Sequence, residues 1–148
     1  MSKVFIDTNI LVYSIDNNDQ EKMHRSRSLL KKLKEDPQGV ISTQVLQEFY
    51  VAVTKKLRVD PMAVKNILNT FENFEIVTIS PGIIKDGIDC SILCKISFGD
   101  ALIVVAAAYA KCDRLWTEDL NHGQIIRGVR IINPYLPDVA IKTFKKEK

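Results

Sequence analysis

Five short apolar runs, at residues 3–7, 40–41, 75–79, 114–116 and 129–132, alternate along this 148-residue chain with stretches of helical periodicity. Strands alternating with helical stretches predict a mainly parallel sheet covered by helices on both faces. Val4-Phe5-Ile6 has no polar alternation, as expected of a strand buried on both sides. The first helix is predicted to about Ile15, capped by Asp7 or Thr8, and the second over residues 19–35, stopped by Pro37 and Gly39. Met23, Leu29, Leu30 and Leu33 form the apolar side of the second. The third runs from a cap at Ser42 or Thr43 to about Leu57, with Val45, Leu46, Phe49, Tyr50, Val53 and Leu57 on one arc. Asp60-Pro61 and Ser80-Pro81 are cap-then-proline starts. The first opens a helix burying Met62, Ile67, Leu68 and Phe71, the second a helix striped by Ile84, Ile88, Ile92 and Ile96. Residues 101–112 are apolar nearly all round and predict a helix covered on several sides.

The length suggests one domain, over 1–138, followed by a basic tail at 139–148. No run is long enough to span a bilayer, and Asp7 interrupts the first apolar stretch, so a cytoplasmic protein with no membrane partner is expected. Three cysteines do not make a disulfide framework. Cys90 and Cys94 have helical i,i+4 spacing, but no histidine is near them in sequence, which favours buried thiols over metal ligands. The net charge of +3 is too small to announce nucleic-acid binding. Its distribution says more: Lys22, Arg25, Arg27, Lys31, Lys32 and Lys34 share one segment, and Lys142, Lys145, Lys146 and Lys148 end the chain. These are either solvated faces or a phosphate-backbone footprint.

Acidic residues carry the functional signal. Asp7 follows the first strand and Asp119 follows the fourth, so a parallel sheet puts both at one edge, where open α/β sheets bind ligands. Asp100, in the first turn of the apolar helix, and Glu48, at the border of the third helix's core face, join them if their helices start from that edge. Four close carboxylates repel unless a hard cation neutralises them. Mg²⁺ or Mn²⁺ suits such oxygen donors, and one or two such ions in this crevice make a site for phosphodiester hydrolysis. No covalent nucleophile with an adjacent base is evident. Thr8, Asn9, Ser97, Thr117 and Asn121 are placed to orient the carboxylates or their water. Bland readings stand beside each acid: Asp7 as a plain helix cap, Ser97 with Asp100 as a capping box, Glu48 as a surface residue, Asp119 as a turn cap with Glu118 its rival. His122 is a candidate general acid, more simply an incidental loop residue; His24 reads as a surface residue.

Phe5-Ile6-Asp7-Thr8-Asn9, Gln47-Glu48-Phe49, Ser97-Phe98-Gly99-Asp100-Ala101 and Thr117-Glu118-Asp119 resemble, in order and spacing, the motifs of the PIN domain. The resemblance covers nearly the whole chain. It implies a three-layer α/β/α sandwich with a mainly parallel sheet of about five strands, and a Mg²⁺- or Mn²⁺-dependent endoribonuclease activity. Asp7, Glu48, Asp100 and Asp119 match the family's acidic quartet, which implies catalytic and metal-holding roles. Thr8, Asn9, Ser97 and Thr117 match its polar accessories. Many small members are toxins of bacterial VapBC pairs, so an RNA substrate, a homodimer and an antitoxin partner are implied. Leu120-Asn121-His122-Gly123-Gln124 resembles one bacterial subgroup that leans toward toxins. Two other classes are weighed against this one. A non-catalytic RNA- or partner-binding module would not need all four acids. An aspartyl-phosphate phosphotransfer domain usually carries a second aspartate two residues after the first, where this chain has Asn9. A DNA substrate, as in structure-specific 5′ nucleases of similar fold, would call for long insertions that this chain lacks.

Overall fold

A computed structural model describes residues 2–35 and 38–137. The expected stop at Pro37 and the basic tail at 139–148 lie outside the described residues. The strands are β1 (Val4–Ile6), β2 (Gly39–Ser42), β3 (Glu75–Val77), β4 (Arg114–Trp116), β5 (Ile125–Ile126) and β6 (Val129–Ile132). The helices are α1 (Thr8–Tyr13), α2 (Gln20–Glu35), α3 (Thr43–Lys55), α4 (Pro61–Asn69), α5 (Pro81–Cys94) and α6 (Phe98–Tyr109), with a 3-10 turn at Thr70–Asn73.

The strands form one sheet in the order β3-β2-β1-β4-β6-β5. The five expected strands pair in parallel, and a sixth, β5, adds antiparallel to β6. This is one strand more than expected. Its two-residue turn, Arg127-Gly128, has both φ angles positive (54° and 79°), which matches the twist of a hairpin. Arginine is not a residue that announces such a turn.

Val4, Phe5 and Ile6 are all fully buried. Because successive strand residues point to opposite faces, both faces of β1 are covered and the architecture has three layers. α6 buries seven consecutive residues, Ala101 to Ala107, as its all-round apolar sequence predicts, although it starts at Phe98 and ends at Tyr109. α5 and α6 pack closely: a Cβ at Gly87 would come within 2.8 Å of Leu102 Cδ2.

Two predicted faces are corrected, and the stripe of α5 is placed. Met62 is exposed and Val64 takes the buried position of α4. Tyr50 is exposed at the margin of the α3 arc. The stripe Ile84, Ile88 and Ile92 faces outward, at 39%, 47% and 68% exposure, while Ile83, Gly87 and Cys90 form the buried side of α5. Among the described residues no single helix is long and apolar enough to cross a membrane; α5 and α6 satisfy the length only together, across a 116° bend.

Chain direction fixes where a ligand belongs. From β1 the chain moves through β2 and β3 to one side, then returns to place β4 and β6 on the other. The ends of β1 and β4 therefore flank the switch point of the sheet, where a crevice opens.

Candidate active site

That crevice is a cavity of about 330 Å³, lined by Asp7, Thr8, Asn9, Glu48, Ala52, Ser97, Gly99, Asp100, Ile103 and Asp119. All four acids singled out in the sequence reach it. Asp7 is buried and caps α1, its Oδ1 accepting the Thr8 amide at 2.7 Å. Its Oδ2 accepts the Thr117 hydroxyl at 2.7 Å. Capping and lining the cavity thus coexist in one side chain. Burial pushes the Asp7 carboxyl up to about 7; the Thr117 and Thr8 bonds oppose this, and the negative charges of Asp119 and Glu48 add to it.

Glu48 is held from two sides. Its Oε1 accepts Thr8 Oγ1 at 2.8 Å and its Oε2 accepts Gln44 Nε2 at 3.2 Å. The same Gln44 nitrogen donates to the Gly99 carbonyl at 3.1 Å, so a buried amide ties α3 to the start of α6. Its Oε1 has no partner among the described residues. Gln44 was not legible as a site residue; the available signal was its position one helical turn before Glu48. Ser97 caps α6 by accepting the Asp100 amide at 3.1 Å, which places Asp100 at the cavity in the first turn of the helix.

Asp119 follows β4 in a loop. Its amide donates to Thr117 Oγ1 at 3.1 Å, and its Oδ2 accepts Asn9 Nδ2 at 3.2 Å. Its pKa is raised, first by burial, then by the charges of Asp100, Glu118 and Glu48. Glu118, the rival acid, turns away from the cavity toward Tyr13 and Lys22. Asn121 does not line the cavity; its carbonyl accepts the Gln124 amide within the loop. His122 is also used structurally, Nδ1 accepting the Asn133 amide at 3.0 Å. Cys90 and Cys94 are free thiols, Cys90 buried and its pKa raised by that burial.

The oxygen-only donor set fits a hard divalent cation. The match is one of donor chemistry: among the described residues no three His, Cys, Asp or Glu side chains are grouped closely enough to hold an ion as they stand. Hydrogen bonds from Thr8, Thr117, Gln44 and Asn9 already occupy oxygens of three of the acids, in keeping with an ion that retains several waters. A larger cavity of about 720 Å³, lined in part by Leu11, Ile15, Leu30, Phe71, Arg27 and Lys34, has no carboxylate among the described residues of its walls and is not this site.

The basic segment is partly absorbed by the fold. Lys22 pairs with Glu118, Arg25 Nε donates to the Pro134 carbonyl and Arg27 Nε to the Ser14 carbonyl.

Comparison with known proteins gives structural neighbours over almost the full fold. A toxin–antitoxin complex from Klebsiella pneumoniae aligns with a TM-score of 0.66 at 24% identity, over 90% of this chain and 98% of that one. DNA-bound VapBC from Salmonella typhimurium aligns at 0.63 and 20% identity, over 88% and 97%. A VapC toxin of Mycobacterium tuberculosis that cleaves the sarcin-ricin loop aligns at 0.62 and 14% identity, over 79% and 90%. At these identities the likeness is one of fold. A search of curated proteins gives no match. The sequence profile of the PIN domain matches residues 4–127, most of the chain, and the protein belongs to the PIN domain family.

Proposed function

We propose that this chain is a divalent-metal-dependent endoribonuclease and the toxin of a toxin–antitoxin pair acting in the cytoplasm. The observation that carries the reading is the meeting of Asp7, Glu48, Asp100 and Asp119 in one cavity at the switch point of the sheet. Asp7, Asp100 and Glu48 would hold Mg²⁺ or Mn²⁺, and Asp119 a second ion or a water. Such an ion, when bound, polarises the phosphodiester and acidifies the attacking water. The chain's own part is to fix the acids. Thr8 and Gln44 orient Glu48, Thr117 orients Asp7, and Asn9 orients Asp119.

The structural neighbours include VapBC and FitAB complexes, which supports a protein antitoxin as the partner. The exposed stripe Ile84, Ile88, Ile92 and Leu93 on α5 supports a homodimer that covers it. The basic tail beyond residue 138 would add to the attraction for phosphates.

The test is cleavage of a mixed RNA pool by wild type and Asp7→Asn, each with Mg²⁺, with Mn²⁺ and with EDTA. Metal-dependent cutting that vanishes in the variant supports the reading. Equal cutting by both proteins, or no metal binding by wild type in calorimetry, rejects it.

A further inference from the structure

Two adjacent carboxylates, Glu118 and Asp119, follow β4, and either one is close enough in sequence to enter the crevice. Only Asp119 lines it. Thr117 faces the cavity side, bonded to Asp7, and its hydroxyl also accepts the Asp119 amide. Glu118, between them in the bend that follows β4, turns instead toward Tyr13 and Lys22. Asp119 itself has a weak hold: among the described residues its side chain accepts one bond, from Asn9 at 3.2 Å.

Glu118 has a strong one. Tyr13 Oη donates to its Oε1 at 2.5 Å and Lys22 Nζ to its Oε2 at 2.8 Å. The ammonium also lies over two aromatic rings, 4.6 Å from the centroid of Tyr13 and 5.2 Å from that of Tyr135. The two rings meet edge to face at 5.4 Å, and Tyr135 Oη bonds the buried Ser26 Oγ at 2.7 Å. The clamp therefore draws on α1, α2 and the segment after β6, none of which is the loop it holds.

We infer that Lys22 and Tyr13 are positioning residues that decide which of the two carboxylates faces the cation: by holding Glu118 outward they commit Asp119 inward. The inference rests on the proposed metal site, but its test does not require RNA cleavage. Glu118 is one methylene longer than Asp119, so without the clamp it would compete for the ion from a different distance and direction. That competition displaces the shorter acid.

The test is Mn²⁺ binding by calorimetry, with RNA cleavage as a second readout. Lys22→Met is expected to weaken Mn²⁺ about tenfold or more. KM for RNA should stay within about twofold while kcat falls, because the Lys22 charge is already paired with Glu118. Lys22→Arg should restore both. In an Asp119→Asn background, Lys22→Met should add nothing, since it acts through the residue already removed. Glu118→Gln, which keeps an acceptor for Tyr13 but is a poorer ligand, should bind Mn²⁺ nearly as wild type does. It also serves if Lys22→Met folds poorly. Losses that multiply in the double variant overturn the inference, as does a Glu118→Gln protein as weak as Asp119→Asn. The latter result would make Glu118 itself a ligand. Mn²⁺ binding that follows this pattern without any RNA cleavage keeps the clamp and rejects the nuclease; a wild type that binds no Mn²⁺ rejects both.

Discussion

Thr117 donates its hydroxyl proton to Asp7 Oδ2 across 110 residues of sequence, at 2.7 Å, and so joins the end of β4 to the end of β1. With the Asp119 N–H donated to Thr117 Oγ1, one threonine sets two acids. Replacing it with valine keeps the shape and removes both bonds. Thr117→Val is expected to lose about 1–3 kcal/mol of stability, because buried polar groups are left unmatched. Metal-dependent cleavage should fall at least about tenfold. Thr117→Ser should keep most of both. Urea melts and cleavage rates on the three proteins check this.

The second prediction concerns pH. The Asp7 carboxyl titrates at about 7 in the folded protein against an ordinary value of 3.8. Between those values the folded state binds more protons than the unfolded one, so this group's stabilising contribution is complete below about pH 4 and is lost as pH rises to 7. The span is on the order of 4 kcal/mol. In EDTA, Asp7→Asn should therefore melt higher than wild type at pH 7.5 and show no such gain at pH 4. Divalent ions bind the ionised acid, so wild-type affinity for Mn²⁺ should rise with pH up to about 7 and level off above it. Scanning melts and calorimetry across that range give both answers.

Gln44 is a case where stability and function should separate. Gln44→Leu deletes two hydrogen bonds, to Glu48 and to the Gly99 carbonyl, but also removes a buried carbonyl oxygen that has no partner among the described residues. These effects offset, and the net change in unfolding free energy should stay within about 1 kcal/mol. Glu48 loses an orienting donor, so the Mg²⁺ concentration for half-maximal cleavage should rise. A variant that unfolds like wild type and needs no extra Mg²⁺ would remove Gln44 from the site.

The outward stripe of α5 predicts an oligomer. Ile88→Glu with Ile92→Glu places charge on residues already 47% and 68% exposed, so the fold should not suffer. Light scattering should report a dimer for wild type and a monomer for the double variant. Equal masses for the two would leave the stripe without this role.

The acids were legible because a carboxylate at the end of an apolar strand is costly to bury unless it serves a purpose, and Asp7 and Asp119 both follow such strands. The parallel sheet was legible from the spacing of five apolar runs. β5 was not, since its turn uses Arg127 with φ at 54°, where asparagine or glycine is the usual signal. The period of Ile84, Ile88 and Ile92 marked a face of α5 without saying what covers it. Met62 lies two residues from Val64 on α4, about 200° around the helix, so the turn that buries Val64 carries Met62 outward. The choice between Glu118 and Asp119 was set by Tyr13 and Lys22, more than 95 residues away, and no local pattern records it.

β4 sits between β1, made early, and β6, made late. A ribosome that has released β1 and the first three helices has delivered Asp7 and Glu48 but not Asp100, Asp119 or the strand that seals β4. A growing chain therefore carries no complete set of acids until Asp119 has emerged. A chain cut short between Asp119 and β6 would hold all four acids beside a β4 whose outer edge has no strand paired to it.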